Sequence, residues 1–150
     1  MIRIICVGKI KESYFRDAIS EYQKRLSKYT KLEIVEVSDF DGDKTTILEK
    51  ESELILKNLK EKSYIITLEI DGEQIASEEF STKINKILIN NSDITFIIGG
   101  SYGLSDKVKN MSNYKLSFSK MTFPHQLFRV ILLEQIYRGY KILNNETYHK

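Results

Sequence analysis

Five short runs of mainly branched apolar residues punctuate the chain, at Ile2 to Val7, Leu32 to Val37, Tyr64 to Ile70, Ile94 to Ile98 and Tyr114 to Phe118. Runs of this length and composition read as strands. The stretches between them have a helical period: Phe15, Ala18, Ile19, Tyr22 and Leu26 recur at three- and four-residue steps, as do Phe80, Ile84, Ile87 and Leu88. Ile47, Leu48, Leu54, Ile55 and Leu59 follow the same period less strictly. A last helix is predicted to start at Pro124, whose fixed φ suits a first turn, and to run through Leu127, Val130, Ile131, Glu134 and Tyr137. Ser38 to Lys44 reads as a turn-rich loop. Strand and helix in alternation predict an α/β fold, a mainly parallel sheet with helices on both faces. At 150 residues, without an internal repeat, the chain is expected to form a single domain over 1–150.

Two of the predicted strand ends stand out. The strand at residues 94–98 runs into Gly99, Gly100 and Gly103, and the strand at 114–118 is followed by the only proline, Pro124, with His125 directly after it. Taken as adjacent, these ends lie where open α/β sheets place their ligands. One reading is structural: the glycines let a strand turn sharply and the proline starts a helix. The other is a pocket of backbone N–H and C=O groups, left accessible by glycines and by Ser117, Ser119 and Thr122, suited to a flat heterocycle.

Composition narrows the setting without choosing between these readings. Hydrophobic residues make up 41% and charged residues 29%, as in an ordinary soluble globular protein. The first 15 residues lack the features of a signal peptide, and no run approaches the roughly 18 apolar residues of a membrane helix, so a cytoplasmic address with no membrane partner is expected. The single cysteine, Cys6, lies within an apolar run and reads as a small core residue. Net charge is only +2, but it is unevenly spread along the chain. Residues 1–31 have eight Lys/Arg against three acids, residues 32–80 five against fourteen, and residues 81–150 ten against four. Basic ends and an acidic middle fit either a polyanion-facing surface or a solvated mixture.

Several chemistries are excluded by missing patterns. Only Val7-Gly8-Lys9 follows the first strand, so neither a dinucleotide fingerprint nor a phosphate loop is present. There is no Gly-x-Ser-x-Gly elbow, and two histidines with one cysteine at no ligand spacing argue against a metal. Asp39, Asp41 and Asp43 alternate as in a calcium loop but lack its distal glycine and glutamate, so they read as a solvated turn.

The runs FIIGGSYGLS, LSFSKMTFPHQLFRVILLEQIYRGYKI and NNETYHK, joined by MIRIICVGKIK, SEYQKRLSKY and YIITLEIDG, cover nearly the whole chain. Together they resemble the RlmH family, small SPOUT-class methyltransferases acting on a pseudouridine of large-subunit (23S) ribosomal RNA. The resemblance implies a C-terminal trefoil knot, S-adenosylmethionine as methyl donor with no metal, and a homodimer working on ribosomal RNA within the assembled ribosome. It further implies that the donor contacts Leu68, Gly99 and the stretch Phe118, Ser119, Lys120, Met121, Thr122 and Phe123.

Methyl transfer to the N3 of a pseudouridine needs donor and acceptor held in line, and it needs the imide proton removed. His125 opens a helix, where the dipole favours the neutral imidazole that accepts a proton, although it can equally serve as a packing residue of the turn. Arg129, one turn on, suits a phosphate or the charge developing on the uracil carbonyls, and as well a surface or dimer-packing role. Tyr148 and His149, with Lys150, suit base stacking and phosphate pairing. The family picture has this tail completing the partner subunit's site, with Thr147 standing where relatives have proline. A non-catalytic ribosome-associated binding module and a flavodoxin-like enzyme are the rival classes. The latter lacks its phosphate loop here.

Overall fold

The computed structural model describes residues 1–150. Five strands form one all-parallel sheet: β1 (Ile2–Val7), β2 (Leu32–Val37), β3 (Tyr64–Glu73), β4 (Ile94–Ile98) and β5 (Tyr114–Leu116). Their spatial order is β2-β1-β4-β3-β5. The helices between and after them are α1 (Ser13–Leu26), α2 (Lys44–Lys57), α3 (Ser77–Asn90), the single turn α4 (Asp106–Lys109) and α5 (His125–Leu143).

Alternation along the strands divides the core in two. Ile2, Ile4, Cys6, Ile66, Ile94, Phe96 and Leu116 face α1, α3 and α5, while Ile5, Val7, Ile65 and Ile97 face α2 and α4. Every residue of β4 is buried, because it pairs with strands on both edges and is covered on both faces. Cys6 is one of the core residues; burial pushes its thiol up to about 11, which keeps it protonated and inert.

The course of the chain creates two crevices. The connections leaving β1 and β3 turn toward the face of α1 and α3, whereas the one leaving β4 turns to α4 on the opposite face. Neighbouring strands whose exits diverge leave a gap beyond their carboxyl ends. Because β4 lies between β1 and β3, a gap opens on each of its sides.

Four expectations need correction. The glycine-bearing strand end and the one before Pro124 are not adjacent, since β3 lies between β4 and β5. Strand order is set by long-range packing, which leaves no local trace. β3 continues past Ile70 to Glu73, and β5 stops at Leu116, two residues short of Phe118. There the Ser117 N–H donates to the Glu73 carbonyl at 2.9 Å and its hydroxyl to the Ser119 carbonyl at 3.1 Å, which bends the chain out of the sheet. Pro124 caps the last helix rather than opening it: its ψ of 139° is extended, and helical geometry starts at His125. Asp43, placed in a solvated turn, also caps α2, accepting from the Thr46 N–H at 2.8 Å.

Candidate functional site

The narrower crevice lies on the β3 side of β4 and has a volume of about 170 Å3. Its walls come from the glycine turn after β4 and from residues 117–123 after β5, which meet over β3 at Leu68, just past the last β3–β4 pair, Thr67 with Ile97. Leu68, Gly99, Phe118, Ser119, Met121, Thr122 and Phe123 all line it, and Lys120 does not. The interposed β3 is therefore what carries Leu68 into the cavity. Apolar ring faces dominate one side: Phe128 stacks on Phe123 at 5.9 Å between centroids and meets the edge of Phe118 at 5.1 Å. Backbone dominates the other, because the chain folds back on itself between Gly100 and Gly103 with a 3.0 Å hydrogen bond.

Two glycines in that turn have distinct reasons. A Cβ on Gly99 would run into the Gly103 carbonyl, so the position needs a bare backbone. Gly103 has φ of 73° and open space around it, so there the constraint is the left-handed conformation itself. The cavity therefore offers close-packed backbone and flat apolar faces, the lining that suits a flat heterocycle.

The wider crevice, on the β1 side of β4, measures about 800 Å3. Gly100, Ser101 and His125 line both cavities and form the partition between them. Burial, with the nearby Arg129 charge acting in the same direction, holds the His125 imidazole below its ordinary value, which favours the neutral form. The sequence reading ascribed that preference to the helix dipole; desolvation is the larger cause.

Arg129 corrects one of its sequence readings: at 2% exposed it is not a surface arginine, and its Nη1 and Nη2 donors are engaged within the chain. Its guanidinium donates to the Val7 and Gly8 carbonyls at 2.8 and 2.7 Å and to Glu36 at 2.7 Å. It thereby ties α5 to the carboxyl ends of β1 and β2, behind His125.

The tail is not brought to either cavity within the same chain. Tyr148 donates to Glu134 at 2.8 Å and packs edge-on against Tyr137 at 5.0 Å, beneath the Arg138 guanidinium. Glu134 also accepts from Tyr22 at 2.6 Å and from Arg138 at 2.9 Å, so one carboxylate gathers α1, α5 and the tail. His149 lies between Arg138 at 3.0 Å and Glu78 at 2.6 Å. Arginine only donates, so Nδ1 must accept and Nε2–H must face Glu78, whose carboxyl is held below the ordinary range by that bond.

One residue of the wider crevice escaped the sequence reading. Glu51 is 4% exposed and its Oε1 has no hydrogen-bond partner. Burial, reinforced by Asp39, pushes its carboxyl up. The signal was available: Glu51 follows Ile47 by four residues and precedes Ile55 by four, so a carboxylate interrupts the apolar stripe of α2.

Sequence and structure comparisons agree with this architecture. The family described as "Predicted SPOUT methyltransferase" matches residues 1–149. A protein named "Putative ribosomal RNA large subunit methyltransferase H" from Methanococcus maripaludis is 60% identical, and "Ribosomal RNA large subunit methyltransferase H" from Clostridium tetani is 55% identical. Each alignment covers 99% of both chains. Among solved structures, a probable methylase family protein from Haemophilus influenzae Rd KW20 superposes with a TM-score of 0.58 at 15% identity, over 99% of this chain and 70% of that one, a likeness of fold alone.

Proposed function

The chain belongs to the SPOUT methyltransferase family, and from that premise we propose that it methylates N3 of a pseudouridine in large-subunit ribosomal RNA, using S-adenosylmethionine. The observation that carries the reading is the partition: the cavity lined by Leu68, Gly99, Phe118, Ser119, Met121, Thr122 and Phe123 shares Gly100, Ser101 and His125 with the wider crevice. Family membership and the names of the relatives support the rest. The reading includes a homodimeric working unit, a C-terminal trefoil knot and a cytoplasmic address.

S-adenosylmethionine supplies an electrophilic methyl group on a sulfonium. The chain's contribution is to hold the reactants and manage one proton. The backbone turn at Gly99–Gly103 and the Phe118, Phe123 and Phe128 rings bind and orient the donor side and keep water out. His125, neutral and on the partition, accepts the imide proton. Arg129 acts as a positioning residue: it fixes the first turn of α5 against β1, and its charge adds to the burial that lowers the imidazole's value.

This assignment predicts an acid limb in the pH–rate profile. A proton acceptor works only while unprotonated, so activity should be flat near neutrality and its acid limb should lie below the ordinary imidazole value of ~6.5, since burial and the Arg129 charge depress the His125 value. Stability shifts in the same sense. The unfolded chain takes up the His125 proton first, so this contribution is complete above the ordinary value and is lost as pH falls through the depressed one. His125→Gln should remove the limb; a limb that persists unchanged in the variant assigns the proton to another group.

The decisive test of the reading is mass spectrometry of ribosomal RNA nucleosides from cells with and without the protein. Loss of N3-methylpseudouridine in the deletion strain is expected, and its persistence overturns the substrate assignment. Deleting residues 148–150 separates the tail's role from that of the cavity. Methyl transfer should fall about tenfold or more while donor affinity, read by calorimetry, stays within about twofold. Unchanged transfer would remove the tail from the mechanism.

A further inference from the structure

The wider crevice is furnished differently from its neighbour. Its mouth carries Lys9 and Lys11, both exposed, alongside the exposed carboxylates of Glu36, Asp39 and Asp41, and the ring of Tyr102, 48% exposed. Its interior holds Glu51, a buried carboxyl with an oxygen that nothing in the protein satisfies. Cations suit a phosphate, an exposed ring suits a stacked base, and an unpartnered acceptor calls for an N–H or O–H from the ligand. A nucleotide supplies all three.

Leaving a buried acceptor unpaired costs stability, so its retention needs a reason. Glu51 is also close to the partition: a Cβ placed on Gly100 would lie 3.1 Å from its carboxylate. It therefore stands behind the wall that the donor cavity shares. Yet it is poorly suited to the proton that leaves. The N3 proton lies in the ring plane, in the direction from which the methyl group must arrive, so a fixed group that grips the base throughout the transfer must hold a different edge.

Pseudouridine has such an edge. It is joined to its ribose through carbon, so N1 keeps a hydrogen, whereas uridine presents only a C–H at the corresponding place. We propose that the crevice on the β1 side of β4 seats the target nucleotide, and that Glu51 accepts the N1–H of its pseudouridine, which makes Glu51 the residue that distinguishes pseudouridine from uridine. The inference rests on the pseudouridine reading above and assigns the crevice that faces it.

The test uses the full chain with ribosomes carrying either pseudouridine or uridine at the target position. Wild-type protein should methylate the pseudouridine form at least about tenfold faster. Glu51→Met removes the acceptor and should bring the two rates within about twofold, chiefly by slowing the pseudouridine reaction. Glu51→Gln keeps a carbonyl oxygen and should retain most of the preference. A donor-free readout runs in parallel: by NMR titration, pseudouridine 5′-monophosphate should bind wild-type protein several-fold more tightly than uridine 5′-monophosphate, and equally in Glu51→Met. Thermal melting guards against misfolding, because removing an unpaired buried acceptor should leave the midpoint of Glu51→Met at or above that of the wild type. A Glu51→Met protein that discriminates as well as the wild type overturns the inference alone. Wild-type protein that methylates neither ribosome overturns the reading beneath it.

Discussion

Gly99→Ala should weaken S-adenosylmethionine binding by more than tenfold, about 1.4 kcal/mol, as measured by calorimetry. The added methyl meets the backbone carbonyl of Gly103 rather than the movable end of a side chain, so the turn itself must give way. That turn is one wall of the narrow cavity, and it is pinned by the 3.0 Å hydrogen bond from the Gly103 N–H to the Gly100 carbonyl. Forcing extra volume into packed backbone typically costs 1–3 kcal/mol of stability, so thermal melting should fall as well. Gly103→Ala is the informative partner. Its Cβ would meet open space, and the penalty is the left-handed φ of 73°, worth about 1 kcal/mol. It should lower stability while changing donor affinity much less. Equal losses of affinity in both variants would mean that rigidity of the turn, and not the shape of the wall, governs binding.

Arg129→Met should be the most damaging single change to stability away from the two hydrophobic layers. The substitution roughly conserves volume but removes every hydrogen-bond donor, which strands the Val7 and Gly8 carbonyls and the Glu36 carboxylate. Breaking a buried ion pair from one side costs about 3–5 kcal/mol. Glu36 is partly exposed and can regain water, so the lower end, ~3 kcal/mol, is expected. For a chain of this size that corresponds to a melting midpoint lower by roughly 6–12 °C. Arg129→Lys should recover only part of the loss, since one ammonium cannot reproduce a planar fork reaching three acceptors. A second consequence is specific to the site. Without the guanidinium charge the His125 value rises toward normal, so residual methyl transfer in Arg129→Met should fall off at a higher pH than in the wild type, whereas Arg129→Lys, which keeps the positive charge, should move the profile much less. A merely structural arginine would leave that profile unmoved.

What could be read from the sequence, and what could not, follows from the range of the forces involved. Strands such as Ile94–Ile98 were legible because continuous burial on both faces demands an unbroken branched apolar run, a local property. Helices α1 and α3 were legible because one apolar stripe meets one layer of core. The single turn α4 was not, since four residues are too few to display a period. Sheet order was misjudged because the insertion of β3 between β4 and β5 is decided by pairing partners far apart in sequence. The most instructive misses are the charged residues. Arg129 was read as a group for phosphate or uracil charge, or as a surface or dimer contact, Glu51 was not singled out at all, and both are buried. Each lies on the side of its helix turned toward the carboxyl ends of the strands, where packing must accommodate polar groups at the mouth of a crevice. The tail was read as completing the partner subunit's site; within its own chain its aromatic and imidazole groups are held by Glu134, Arg138 and Glu78.

The partition of Gly100, Ser101 and His125 has a pharmacological corollary. Two unrelated fragments, one filling the apolar cavity and the other the polar crevice, would sit only a wall's thickness apart. A short tether over that wall would make binding of the second fragment intramolecular, with an effective concentration of order millimolar and a gain of about 10²–10⁴ over either fragment alone. The tether would need to be slim and to accept or donate a hydrogen bond beside a neutral imidazole. A two-headed inhibitor could thus be assembled from separately weak halves.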